Sequence, residues 1–147
     1  MREITLTIES DIQNLTLVAV GVHRICEQLG AGKEAASEIE LCVNEAVANC
    51  IHHAYSGASG PQLVLVRIVA TAGEIQCTVC DHGHPMPAEQ IGILTTQPNG
   101  PEYFDEKNNR LDEHGRGLKI IAALMDEVAY LHEGDENCLR MKKHIQH

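Results

Sequence analysis

The chain has 147 residues, enough for one domain with a real core and too few for two ordinary ones. Hydrophobic residues make up 44%, which fits a soluble globular protein, while aromatics at 3% leave the core to aliphatic side chains and alanine. The net charge of −10 comes with no basic stripe along any segment, which argues against direct nucleic-acid binding, because phosphate contacts need clustered Lys and Arg.

In chain order, Ile4, Leu6 and Ile8 alternate with Thr5 and Thr7 and predict a first strand. Ser10 with Gln13 reads as a capping box. Ile12, Leu15, Ala19, Val22, Cys26 and Leu29 then recur at helical spacing, and Gly30 ends that helix. A second helix is expected from 33 to about 55, with Ile39, Val43, Ala46 and Cys50 on one face and Glu45, Asn49 and His53 on another. Residues 56–61 read as a turn. Residues 63–70 and 75–80 are apolar strands joined by a short turn, so they should form an antiparallel hairpin.

From 85 to about 114 both periodicities fail, and Pro87, Pro98, Gly100, Pro101, Asn108 and Asn109 are scattered through the stretch. A loop of that length in a compact domain is usually functional or mobile, so it is expected to be a lid. Leu118, Ile121, Ala122 and Met125 restore a helix, and residues 128–132 and 138–145 close the chain as two strands around Gly134. This order lacks βαβ alternation. It predicts an α+β fold, a two-layer α/β sandwich with helices on one face of a mixed, mainly antiparallel sheet, forming a single domain over 1–147.

Six cysteines and nine histidines invite a disulfide or metal interpretation. Cys77 and Cys80 are separated by two strand residues, where side chains alternate faces, so reduced, buried thiols are the expectation. Adjacent His52 and His53 diverge by about 100° on a helix, which argues against a zinc site there. The chain opens directly on a strand, with no signal peptide and no apolar run long enough for a bilayer. A cytoplasmic protein that does not engage membranes is expected.

Three motifs carry the chemistry. Glu45 and Asn49 lie one helical turn apart and share a face, pairing a carboxylate suited to general-base work with an amide suited to a hydrated Mg²⁺. Asp81 ends a strand two residues before Gly83, where backbone can approach a flat ligand while the carboxylate accepts from an exocyclic amine. Gly115, Arg116 and Gly117 come just before the predicted helix that starts at Leu118, where free N–H groups favour phosphate. Each motif alone is ordinary; the ordered combination is not.

With these motifs in order, the chain resembles the Bergerat-type (GHKL) ATP-binding family, and within it the compact bacterial anti-sigma factor serine/threonine kinases. Residues 45–55 are similar to their N-box, 81–85 to their first glycine box and 115–118 to their second. The resemblance covers nearly the whole chain. It implies ATP and Mg²⁺ as cofactors, with Asn49 as the Mg²⁺ ligand and Asp81 as the adenine-reading aspartate. It further implies nucleotide contacts from His53, Gly83, Gly115, Arg116, Gly117 and Leu118, and Glu45 as the catalytic base for a substrate hydroxyl.

Arg110 is the candidate lid contact, and either it or Arg116 would offset the γ-phosphate charge. The implied function is phosphorylation of an anti-sigma factor antagonist and sequestration of a sigma factor, with a homodimer as the expected assembly. The alternative is a non-catalytic, nucleotide-dependent protein-binding switch of the same fold. Two departures stand out: Met86, Pro87 and Ala88 follow Pro85, and Asn137–Cys138 replaces a threonine-rich turn expected to touch the phosphate side.

Overall fold

The computed structural model describes residues 1–57, 62–96 and 113–145. Strand β1 (Arg2–Glu9) leads into helices α1 (Asn14–Gln28) and α2 (Lys33–Asn49), and a π-helical turn (Cys50–Ala54) extends α2. Strands β2 (Leu63–Thr71) and β3 (Glu74–Asp81), helices α3 (Ala88–Thr96) and α4 (Glu113–Leu124), and strands β4 (Glu127–Glu133) and β5 (Glu136–His144) follow. The sheet order is β1-β2-β3-β5-β4. All four described pairings are antiparallel, so the parallel component of a mixed sheet is absent among the described residues.

Both hairpins have the expected tight turns. Thr71 pairs with Glu74 around Ala72–Gly73, and Glu133 pairs with Glu136 around Gly134–Asp135. Gly73 and Gly134 adopt φ of +77° and +62°, a region that costs other residues a steric penalty.

Alternation along the strands builds the two layers. Val64, Val66, Ile68 and Ala70 of β2, Ile75, Cys77 and Val79 of β3, and Leu139 and Met141 of β5 are buried against the helices. The helical side supplies Val18, Val22 and Cys26 from α1, Ala36, Ile39, Cys42, Val43, Ala46 and Val47 from α2, and Leu118, Ile121 and Ala122 from α4. The other sheet face is mixed, with Leu63, Leu65 and Val69 beside Arg67 of β2, which is paired to Glu3 of β1 at 3.2 Å. Lys143 of β5 ties the layers together: its Nζ donates to the Leu124 carbonyl at 2.6 Å and pairs with Glu38 of α2. A cation on the last carbonyls of α4 offsets the negative end of that helix.

Four sequence expectations need correction. The Ser10–Gln13 capping box is absent: α1 starts at Asn14 without a side-chain cap, and Asp11 accepts the Gln13 N–H at 2.9 Å instead. Its inward face carries Val18 rather than Ala19, and Ile12 is exposed. The stretch after Pro85 is not wholly irregular, because α3 packs on α4 and buries Leu94. The Pro87 carbonyl accepts from Gln90 and Ile91, so this proline starts the helix instead of breaking it. Finally, Cys80 and Cys138, directly paired across β3 and β5, form a disulfide, whereas Cys26, Cys42, Cys50 and Cys77 are free and buried. The remainder of the expected lid, 97–112 with Arg110, and positions 58–61 of the expected turn lie outside the described residues.

Candidate functional site

Asn49 is the last α-helical residue before the π-helical turn, whose wider repeat re-aims the side chains that follow. Asn49, Cys50, His53 and Ala54 line a cavity of about 310 Å³, with Val79, Asp81, Asn137 and Leu139 contributing from the sheet and Met86, Pro87, Gln90 and Tyr130 also around it. Apolar walls with a few fixed polar groups are the usual make-up of a small-molecule site. Asn49 Nδ2 is buried without a hydrogen-bond partner. Buried amides are nearly always satisfied, so this orphaned donor fits an acceptor atom of a bound ligand.

Asp81, 7% exposed, is held from three sides. Its Oδ1 accepts from the Gly83 N–H at 2.9 Å and from Asn137 Nδ2 at 2.8 Å, and its Oδ2 accepts from the Cys50 thiol at 3.3 Å. Burial, reinforced by the charge of Asp81, pushes the Cys50 thiol well up, so it remains a donor. Asn137 is itself fixed: Nδ2 also donates to the Gly83 carbonyl at 3.0 Å, and Oδ1 lies 2.6 Å from His132 Nδ1, which therefore carries the proton. The carboxylate is thus oriented with acceptor capacity left on Oδ2, a geometry suited to an exocyclic amine. Asn137, which stands where the resemblance expects a threonine-rich turn, lies beside Asp81.

Gly83 is required by packing. A Cβ there would overlap the Ala54 carbonyl and crowd the Tyr55 ring. The same contact is sealed by His84 N–H to the Ala54 carbonyl at 2.7 Å and by His82 N–H to the Tyr55 hydroxyl at 2.8 Å. Tyr55 in turn donates to the Leu63 carbonyl at 2.7 Å, so one phenol pins the end of α2 to both strands of the hairpin. The Tyr130 hydroxyl accepts the Met86 N–H at 2.8 Å and fixes the opposite rim.

The second glycine motif sits differently from expectation. α4 starts at Glu113, so Gly115, Arg116 and Gly117 lie in its first turns and not before it. The first N–H groups of a helix lack intrahelical partners, so their affinity for anions survives the correction. Gly117 is buried against Glu45: a Cβ would stand 2.5 Å from Glu45 Oε2. Burial pushes the Glu45 carboxyl above its ordinary value, and the Arg116 guanidinium partly offsets this. Leu118 is fully buried in the core and does not line the cavity. Asn49, His53 and Asp81 therefore meet at the cavity, with Gly83 bonded to Asp81. Glu45, Arg116 and Gly117 gather one turn earlier along α2.

Asn137, Cys50, Tyr55 and Tyr130 were missed. Tyr55 and Cys50 had a local signal, as members of the 45–55 motif; Asn137 and Tyr130 become neighbours through pairing between distant strands.

A family model described as the histidine kinase-like ATPase domain matches residues 8–143. The serine-protein kinase RsbW of Oceanobacillus iheyensis is 29% identical over 114 residues, covering 74% of this chain and 69% of that protein. RsbW of Staphylococcus aureus is 25% identical over 143 residues, covering 97% of this chain and 87% of that one. The SiaB–SiaC complex of Pseudomonas aeruginosa contains a similar fold, with a TM-score of 0.70, 14% identity and coverage of 93% of this chain and 88% of that chain. The RsbU and RsbW domains of a Mycobacterium tuberculosis protein give a TM-score of 0.67 at 14% identity; 99% of this chain is covered but only 33% of that longer one. At such identities the structural likeness bears on the fold. The family model spans most of the sequence and all three motifs, and the chain belongs to the histidine kinase-like ATPase domain family.

Proposed function

We propose that the chain is an ATP- and Mg²⁺-dependent protein serine/threonine kinase that phosphorylates an anti-sigma factor antagonist and sequesters a sigma factor. The observation that carries this is the pairing, one turn apart on α2, of the cavity-facing, unpartnered amide of Asn49 with the carboxyl of Glu45. The relatives' name, serine-protein kinase, agrees with it. ATP–Mg²⁺, when bound, supplies the transferable phosphoryl group and the cation that offsets its charge.

The chain's own residues do the rest. Asp81, braced by Asn137 and Cys50, accepts a hydrogen bond from the base's exocyclic amine. Asn49 contributes the amide oxygen for the cation, and His53 borders the same cavity. The first turn of α4, with Gly115 and Arg116, offers N–H groups and a positive side chain toward phosphate. Glu45 accepts the proton of a substrate hydroxyl; its raised affinity for protons moves it closer to the operating pH, which favours a general base. Leu17 and Val20 on α1, 71% and 65% exposed, offer apolar surface to a protein partner, whether a sigma factor or a second copy of the chain.

The test is incubation with labelled ATP, Mg²⁺ and candidate antagonist proteins from the same genome. Phosphoserine or phosphothreonine on one of them is the expected result. ATP binding with no transfer to any partner would remove the kinase assignment and leave the nucleotide-dependent binding switch.

A further inference from the structure

A second cluster of reactive side chains lies next to the base pocket but on the other face of the sheet. Cys80 and Cys138 are directly paired across β3 and β5, adjacent to the Asp81–Asn137 pair. Alternation turns Asp81 and Asn137 toward the cavity and puts the two sulfurs on the opposite face, where Cys80 is buried and Cys138 half-buried beside the exposed Glu136. Glu136 is two residues before Cys138 on that face. Cys80, Glu136 and Cys138 have ligand atoms within 4.8 Å of one another. His82, two residues after Cys80, brings its Nε2 to 3.9 Å from Glu136 Oε2.

We propose that, in the dithiol form of the chain, Cys80, Cys138 and Glu136, with His82 as fourth ligand, form a binding site for a thiophilic divalent cation, Zn²⁺. Two thiolates, a carboxylate and an imidazole are a donor set Zn²⁺ accepts, and tetrahedral ligation with Zn–S near 2.3 Å needs sulfurs roughly 3.8 Å apart. Opposed side chains on neighbouring strands stand within that reach once the S–S bond is open. Glu136 follows the Gly134–Asp135 turn, so its carboxylate and the exposed His82 ring can swing onto the ion without moving the core.

The metal and the disulfide exclude each other. A small-molecule disulfide such as oxidised glutathione converts the two thiols into the Cys80–Cys138 bond, taking two electrons and two protons and leaving as two thiols. With both sulfurs consumed, the cation loses its strongest ligands. Either state cross-ties β3 and β5 beside the Asp81–Asn137 pair; the reduced, metal-free state does not. The four buried thiols provide no equivalent: Cys26 and Cys77 adjoin each other, but no carboxylate or imidazole joins them in a ligand-spaced group among the described residues.

The experiment is titration of the full chain, reduced with a phosphine, first with Co²⁺ and then with Zn²⁺. One equivalent of Co²⁺ should give thiolate-to-cobalt charge-transfer absorption with tetrahedral ligand-field bands, and Zn²⁺ should displace it. Cys138→Ser should lower Zn²⁺ affinity at least ~100-fold, and Glu136→Gln, an exposed change that spares the fold, by roughly 10-fold. Chain oxidised to the disulfide should take up none at this site. No charge-transfer absorption in the reduced wild type would overturn the proposal, and so would undiminished affinity in Glu136→Gln or Cys138→Ser.

Discussion

At the level of single residues, Glu45 shows how position sets chemistry. Packing against Gly117 desolvates the carboxyl and raises its affinity for protons, while Arg116 limits the rise. A raised carboxyl favours the folded state when protonated, so its contribution to stability is complete below the unfolded value and is lost as pH climbs through the folded one. Glu45→Gln should therefore leave the fold at least as stable as wild type on the alkaline side of the carboxylate range and flatten this part of its pH dependence, as read by urea unfolding. The same change should lower phosphoryl transfer by about 10²–10⁴-fold, the usual contribution of a general base, while ATP affinity stays near wild type. Transfer at the wild-type rate would remove Glu45 from the chemistry.

Glu45, Asn49, His53 and Asp81 were legible because i, i+4 spacing and a strand end locate them without knowledge of the fold. Asn137 was not, since only the β3–β5 register, joining residues 56 apart, brings it to Asp81. The disulfide partners Cys80 and Cys138 were hidden for the same reason.

Among the elements, the π-helical turn and the loop after β3 form the joint on which the pocket depends. Gly83 lets the Ala54 carbonyl come close enough for His84 and brings Tyr55 onto His82. Gly83→Ala should force this joint apart, destabilising the fold by about 1–3 kcal/mol as overpacking does, and weakening ATP by more than its effect on unfolding implies. Calorimetry beside urea unfolding checks this; unchanged stability and affinity would contradict it.

The elements themselves followed from periodicity except where proline and glycine misled. Pro85 and Pro87 suggested continuous loop, although proline is well suited to the first turn of a helix, and α3 forms because Leu94 has a place in the core. Gly115 and Gly117 suggested a stretch just before α4, but the helix includes them: the missing Cβ of Gly117 is what allows α4 to approach Glu45.

For the whole molecule, one sheet and one helical layer place Asp81 and Asn137 on β3 and β5 and Glu45 on α2, with Lys143 linking α2, α4 and β5. Lys143→Met keeps the aliphatic stem but leaves Glu38 and the Leu124 carbonyl without their donor. It should cost about 1.5–3 kcal/mol in urea unfolding, the range for a hydrogen bond to a charged group. A loss below a few tenths would mean that solvent replaces the lysine fully.

The layered plan was readable from the order of strands and helices, because hairpins with tight glycine turns leave few alternatives. The sheet order was less so, since β5 inserts between β3 and β4 and no local signal announces it. The central claim is that the cavity reads an adenine nucleotide through Asp81, and calorimetric titration of the full chain with ATP–Mg²⁺ and GTP–Mg²⁺ tests it most directly. Adenine presents an amine donor to the fixed carboxylate, whereas guanine presents a carbonyl oxygen, leaving a buried acceptor unpaired against another acceptor. ATP should bind at least ~100-fold more tightly than GTP. Equal affinities, or no binding of either, would contradict the assignment.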